Sequence, residues 1–341
     1  MSRAVIFGCA GPSLGDQEAA FFRDADPWGF ILFGRNIVSP DQVRGLIADL
    51  RRSVGRPEAP VLIDQEGGRV ARLGPPHWRR YPPAAAYADL AARDPDLGQD
   101  MARLGARLIA HDLARLGINV DCAPVLDIPA PGAHQIIGDR AYGRTPREVA
   151  RLGRAALEGF LAGGVAPVIK HMPGHGRALA DSHEALPVVR ASLAELSATD
   201  FVPFTALADA PMAMTAHVVY AAIDAETPAT LSPIVIAQVI RGAIGFGGLL
   251  MSDDLSMRAL SGGLGERARR ALDAGCDVVL HCNGDPAEMA AAADGSRRLE
   301  GLSAARAAAA LDRLAQAPES FDQEGSRRRF DAAFEMRFAS G

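Results

Sequence analysis

Eight short, mostly apolar runs punctuate the chain, at residues 4–7, 29–33, 60–63, 119–121, 166–170, 213–215, 249–252 and 277–280. They show little of the alternation of a half-exposed strand and instead match strands covered on both faces, as in a parallel sheet. Between them lie longer stretches, 42–52, 100–116, 146–162, 193–208, 233–243 and 266–274, with helical periodicity. Each is long enough to carry the chain back over a parallel neighbour. The alternation predicts an α/β fold, a (β/α)8 TIM-type barrel. The competing open doubly wound sheet lacks its GxGxxG turn after the first strand. Beyond the eighth strand, 304–314 and 323–338 read as a closing helix and a charged helical tail. With no linker and no internal repeat, residues 1–341 are expected to form one domain, its C-terminal helical tail covering about 302–341.

In a barrel the C-terminal ends of the strands converge on one face, where the active site sits. Asp64, Asp121, Lys170, His171, His217, Asp253 and His281 each end or follow a predicted strand. Residues far apart in the chain are thereby expected to share one pocket.

Composition narrows the setting. A hydrophobic content of 48% gives ample core material, and a net charge of −5 with scattered arginines shows no nucleic-acid footprint. No segment approaches the roughly 20 apolar residues of a membrane span, and the first residues lack a leader pattern. A cytoplasmic protein with neither a nucleic-acid nor a membrane partner is expected. Cys9, Cys122, Cys276 and Cys282 are widely spaced without a CxxC pair, which favours buried free thiols over a zinc-thiolate site or disulfides.

The densest chemistry lies in Lys170-His171-Met172-Pro173-Gly174-His175-Gly176, followed by Asp181-Ser182-His183. Glycines and a proline bar regular helix, so this reads as a loop rich in proton-transfer groups. His171, His175 and His183 could instead ligate a metal, as in a metal-dependent barrel hydrolase. Against that stand the missing HExxH helix and the cation of Lys170, which opposes a divalent ion. The alternative is an Asp181–His183 dyad, the carboxylate orienting the imidazole and favouring its protonated form. At Ser252-Asp253-Asp254, a strand delivers two carboxylates to the pocket mouth. One could attack an anomeric carbon, or the pair could cap a helix. In Asp64-Gln65-Glu66-Gly67-Gly68-Arg69-Val70-Ala71-Arg72, acids and arginines suit sugar hydroxyls, which both donate and accept. A surface ion pair between Glu66 and an arginine is the plainer reading.

Together these residues resemble the family 3 glycoside hydrolases, most nearly the compact bacterial β-N-acetylhexosaminidases of peptidoglycan recycling. The resemblance runs from about residue 29 to about 283. It rests on Ile31-Leu32-Phe33-Gly34-Arg35-Asn36, the 64–70 motif, Ala123-Pro124-Val125-Leu126-Asp127, Ile137-Gly138-Asp139-Arg140-Ala141-Tyr142, segment 170–187, Ala216-His217-Val218-Val219-Tyr220 and segment 252–257. It implies a retaining exo-β-N-acetylglucosaminidase that uses no cofactor or metal. Asp253 is implied as the nucleophile, Asp254 as structural, and His183 assisted by Asp181 as the acid/base. Asp64, Arg72, Arg140, Lys170 and His171 are implied as ligands of the terminal sugar's hydroxyls, with His175, His217 and Asn283 in support. The implied substrate is N-acetylglucosamine linked to 1,6-anhydro-N-acetylmuramic acid, with or without peptide. A neutral imidazole base repels an incoming anion less than a carboxylate does, which keeps phosphate beside water as an acceptor. The chain departs from the family pattern at Met172, usually phenylalanine, and in Gly74-Pro75-Pro76-His77-Trp78-Arg79-Arg80, which matches no family role.

Overall fold

The computed structural model describes residues 1–179, 181–182, 185–314 and 318–338. Eight parallel strands close into a barrel in chain order: β1 (Arg3–Gly8), β2 (Pro27–Leu32), β3 (Val61–Ile63), β4 (Val120–Asp121), β5 (Ala166–Met172), β6 (Met212–Thr215), β7 (Leu249–Asp254) and β8 (Val278–His281). β8 returns to β1, with Val5 opposite Val279 and Phe7 opposite His281. Each predicted run overlaps one of these strands. The absence of alternation has the expected cause: all six residues of β2 and all seven of β5 are buried, since side chains fill the barrel on one face and meet helices on the other.

The surrounding helices form where propensity, caps and an apolar stripe agree. Pro40–Ser53 starts with Ser39 accepting from the Gln42 amide and with proline in its first turn. Pro146–Ala162 opens on a reciprocal Thr145–Glu148 capping box. Two predicted helices differ from the pattern. The 193–208 stretch is two helices, Leu193–Ala198 and Phe201–Ala206, broken at Thr199. Pro203 explains the break: its ring clashes with the carbonyl four residues earlier, which belongs to Thr199. The 233–243 stretch is wound as a π-helix over Val235–Ala243. Periodicity does not pick out helices Asp16–Ala25, Ala84–Ala91 and Pro286–Gly295; the last two are alanine-rich, and alanine gives little apolar–polar contrast.

The tail packs on the barrel's flank. From helix Gln323–Phe338, Phe330 is fully buried against Tyr81, Tyr87 and Phe334. Arg79 pairs with Asp331, while Asp112 accepts from Arg327 at 2.9 Å and from the Tyr81 hydroxyl at 2.7 Å. Within segment 74–80, Trp78 packs against the core and Arg79 seats the tail. All four cysteines are buried and unpaired. Among the described residues, no helix is long and apolar enough to cross a membrane.

Phe330→Ala should destabilise the protein by about 3–5 kcal/mol, the cost of emptying a packed aromatic site. Urea unfolding measures it; a loss under about 1 kcal/mol would mean the tail is not an integral layer.

Candidate active site

The mouth of the barrel is organised around Lys170. Its ammonium, at the end of β5, lies 2.8 Å from Asp64 Oδ1 and 2.7 Å from Glu66 Oε1, with 3% of the side chain exposed. Asp64 follows β3 directly and takes a second hydrogen bond from Arg72 at 3.0 Å. Glu66 sits on a hairpin made of Gln65–Gly67 and Val70–Ala71, where Arg140 binds it through two parallel contacts of 2.8 Å. The hairpin needs glycine at 67: its φ is +96°, and a Cβ would stand 2.5 Å from the Pro82 carbonyl oxygen. The result is an alternating chain, Arg72–Asp64–Lys170–Glu66–Arg140. The Glu66–arginine pair exists, but it is buried rather than superficial, because Lys170 and Arg140 enclose the carboxylate.

Electrostatics follow from this alternation. Burial works against ionising Asp64, yet the Lys170 and Arg72 cations hold its carboxyl well below the usual carboxylate range. Glu66 is likewise lowered by Lys170 and Arg140 against the opposing effect of burial. Burial also works against the charge of Lys170, but Asp64 and Glu66 raise its pKa above the usual lysine value. Asp121 is the exception. Fully buried and accepting one hydrogen bond from the Gln65 amide, its carboxyl is pushed well up by burial. It lies beneath the pocket rather than in it.

A second cluster joins the loop after β4 to the end of β5 and the loop beyond it. Asp127 Oδ2 is 2.6 Å from His171 Nδ1, while its Oδ1 accepts the backbone N–H of His175 at 2.6 Å. An ionised Asp127 puts the His171 proton on Nδ1 and leaves Nε2 at the opposite edge of the ring. His175 Nε2 is 3.1 Å from Ser182 Oγ. Gly176 lets this loop lie flat, since a Cβ there would collide with the Ile128 carbonyl oxygen.

The third component is the end of β7. Asp253 is partly exposed and accepts the Asp254 amide on Oδ1 at 2.8 Å. Asp254 is bound locally: its carboxylate accepts from Ser256 Oγ at 2.5 Å and from the amides of Ser256 and Cys282. No helix begins at this strand end, the next being Leu264–Ala274, so neither aspartate caps one and the contacts of Asp254 fix the turn after β7. His217, at the end of β6, is held on both nitrogens, by Thr230 Oγ1 at 2.7 Å and the Asp254 carbonyl at 2.9 Å, and so braces that strand end.

The structure thus brings Asp64, Arg72, Arg140 and Lys170 into one network, with His171 next to Lys170 on β5. Asp181 is half-buried on the following loop, and His183 lies outside the described residues. Asn283 donates to Glu288 and accepts the Asp285 amide, next to the start of helix Pro286–Gly295, which the Asp285 side chain caps. His281 is fully buried with its ring edge-on to Phe7. Asp127 is the residue that strand-end reasoning misses, although its motif is plain in the sequence, because it stands six residues past β4. Among the described residues, no group of three or more His, Cys, Asp or Glu is arranged to hold a metal.

Burial and the neighbouring His171 push His175 down to about 4, whereas an unfolded histidine titrates near about 6.5. Between those values only the unfolded state carries the proton. The contribution of His175 to stability is therefore full above about pH 6.5 and lost as pH falls towards about 4. His175→Asn should flatten the rise in unfolding free energy between about pH 4 and about pH 6.5, measured by urea titration; an unchanged slope would refute this.

Comparisons with known proteins identify the family. The model of the glycosyl hydrolase family 3 N terminal domain matches residues 16–317. A β-hexosaminidase of Methylococcus capsulatus is 41% identical over 282 residues, 82% of each chain, and one of Alkalilimnicola ehrlichii is 40% identical over 283 residues, 82% of this chain and 80% of its own. Among solved structures, NagZ from Neisseria gonorrhoeae in complex with N-trifluoroacetyl-D-glucosamine superposes with a TM-score of 0.87 at 32% identity, covering 97% of both chains. A family 3 β-N-acetylglucosaminidase from Paenibacillus gives 0.86 at 33% identity, covering 97% of this chain and 67% of its own. The barrel is the one shared by these enzymes, and the chain belongs to glycosyl hydrolase family 3.

Proposed function

We propose that the protein removes terminal, non-reducing β-linked N-acetylglucosamine with retention of configuration. Its proposed cellular substrate is N-acetylglucosamine joined to 1,6-anhydro-N-acetylmuramic acid, with or without peptide, as released in cell-wall recycling. The observation that carries this reading is the buried chain Arg72–Asp64–Lys170–Glu66–Arg140 at the barrel face where β7 delivers Asp253. Sugar hydroxyls need fixed donors and acceptors side by side, and this row supplies both. The β-hexosaminidase relatives and the N-acylglucosamine held by the gonococcal structure support an acetamido sugar.

In this reading Asp64, Arg72, Arg140, Lys170 and His171 hold the terminal sugar. Asp253 attacks C1 as the glycosidic bond breaks, and His183 gives its proton to the leaving oxygen. Water then attacks C1, its proton passes to His183, and Asp253 leaves as a carboxylate. Two inversions restore the β configuration. Asp181 orients His183 and favours its charged form, while the Asp254 amide fixes the rotation of the Asp253 carboxylate. Residues 1–341 act as one catalytic domain, and the four unpaired thiols suit a reducing, cytoplasmic compartment.

Wild type should release nitrophenol from p-nitrophenyl N-acetyl-β-glucosaminide at a rate indifferent to chelator, and Asp253→Ala should lower kcat about a thousandfold or more. A mutant as fast as wild type would sink the nucleophile assignment. Activity lost on chelator dialysis would point instead to the histidines as metal ligands.

A further inference from the structure

Residues 122–145, between β4 and helix Pro146–Ala162, form a long connection whose one helical turn is Gly138–Arg140. Apolar packing holds its far end weakly: Val125, Ile137 and Ala141 make a small cluster apart from the main core, with Ile136 against it. Arg69, at the turn of the hairpin that carries Glu66, closes over this segment. Its Nε lies 2.9 Å from Asp139 Oδ1, and its Nη2 donates to the carbonyls of Gln135 at 2.8 Å, Ile136 at 2.6 Å and Ile137 at 3.4 Å. The Ile136 carbonyl also accepts from Arg140 at 3.1 Å, while the rest of that guanidinium binds Glu66 back on the hairpin.

The geometry points to Arg69 as a positioning residue, a clasp that holds segment 135–139 and thereby fixes the Arg140 guanidinium for the terminal sugar. The inference rests on Arg140 being a ligand of that sugar. Two guanidiniums join the same two stretches of chain in opposite directions, Arg69 from hairpin to segment and Arg140 from segment to hairpin, and they share one carbonyl. Arg140 is 9% exposed, whereas Arg69 and Asp139 are each 44% exposed. An ion pair that open to water adds little to stability, so what Arg69 contributes is placement. A planar fork spans a carboxylate and neighbouring carbonyls at once; the single ammonium of a lysine, on a flexible stem, does not hold them in the same order. Without the clasp those carbonyls turn to water, and the residues leading into Arg140 lose their fixed approach to Glu66.

Kinetics on p-nitrophenyl N-acetyl-β-glucosaminide test the clasp through Arg69→Met and Arg140→Gln, made separately and together; the glutamine amide can still donate to the buried Glu66. In Arg69→Met, KM should rise about tenfold, the scale of one hydrogen bond to a charged group, while kcat stays within about threefold. Its melting temperature should remain close to wild type. Arg69→Lys, which keeps a charge beside Asp139 without the fork, should show most of the same rise. Arg140→Gln should raise KM further, and the double variant should be no worse than Arg140→Gln alone, since the clasp then has nothing left to position. A wild-type KM in both Arg69 variants beside a raised one in Arg140→Gln would overturn the clasp alone, as would an Arg69→Met loss that persists undiminished in the Arg140→Gln background. A wild-type KM in Arg140→Gln would overturn the sugar-ligand reading and the clasp with it.

Discussion

The buried ammonium of Lys170 is the constraint around which the site is built. A cation with almost no exposure is tolerable only when opposite charges are already in place, because desolvation costs several kcal/mol per ion. Asp64 and Glu66 meet that need from two different places, one directly beyond β3 and one on the hairpin after it. Each carboxylate then requires a further donor, which Arg72 and Arg140 supply. The five side chains come from three stretches of chain, residues 64–72, Arg140 and Lys170, so their mutual satisfaction holds the barrel mouth in one arrangement.

This rigidity separates the labour of the site. Against the effect of burial, the cations of the charged row lower Asp64 and Glu66, and those carboxylates in turn raise Lys170. On the histidine side, Asp127 holds one ring through its Nδ1 and the backbone N–H of another histidine. The third part, the end of β7, is stiffened from beneath by His217 and from the side by Asp254, so that Asp253 stands on a fixed base.

Much of this was legible in the residues alone. The eight strands could be read because burial on both faces leaves an unbroken apolar signature, and strand-end logic then found Asp64, Lys170, His171 and Asp253. Glu66 reads from sequence as a surface pair because spacing says nothing about depth; only the Lys170 side chain arriving from β5 shows that the pair is enclosed. Asp127 and Ser182 escape because their partners are backbone amides and a loop histidine, contacts that leave no periodic trace. The split helix at Thr199 was readable in principle, since Pro203 announces it, but the amphipathic pattern runs through the proline and outweighs it. The π-helical winding of Val235–Ala243 has no comparable marker.

The closed pairing of β8 with β1 bears on how the chain is made. During synthesis Asp64 and Glu66 emerge long before Lys170, and β1 lacks its second neighbour until Val279 and Leu280 have left the ribosome. A barrel attempted from the first four strands alone would bring two carboxylates together with no ammonium between them, and would leave an open strand edge besides. Half-made chains are thus discouraged from settling early by the same charges that later line the pocket.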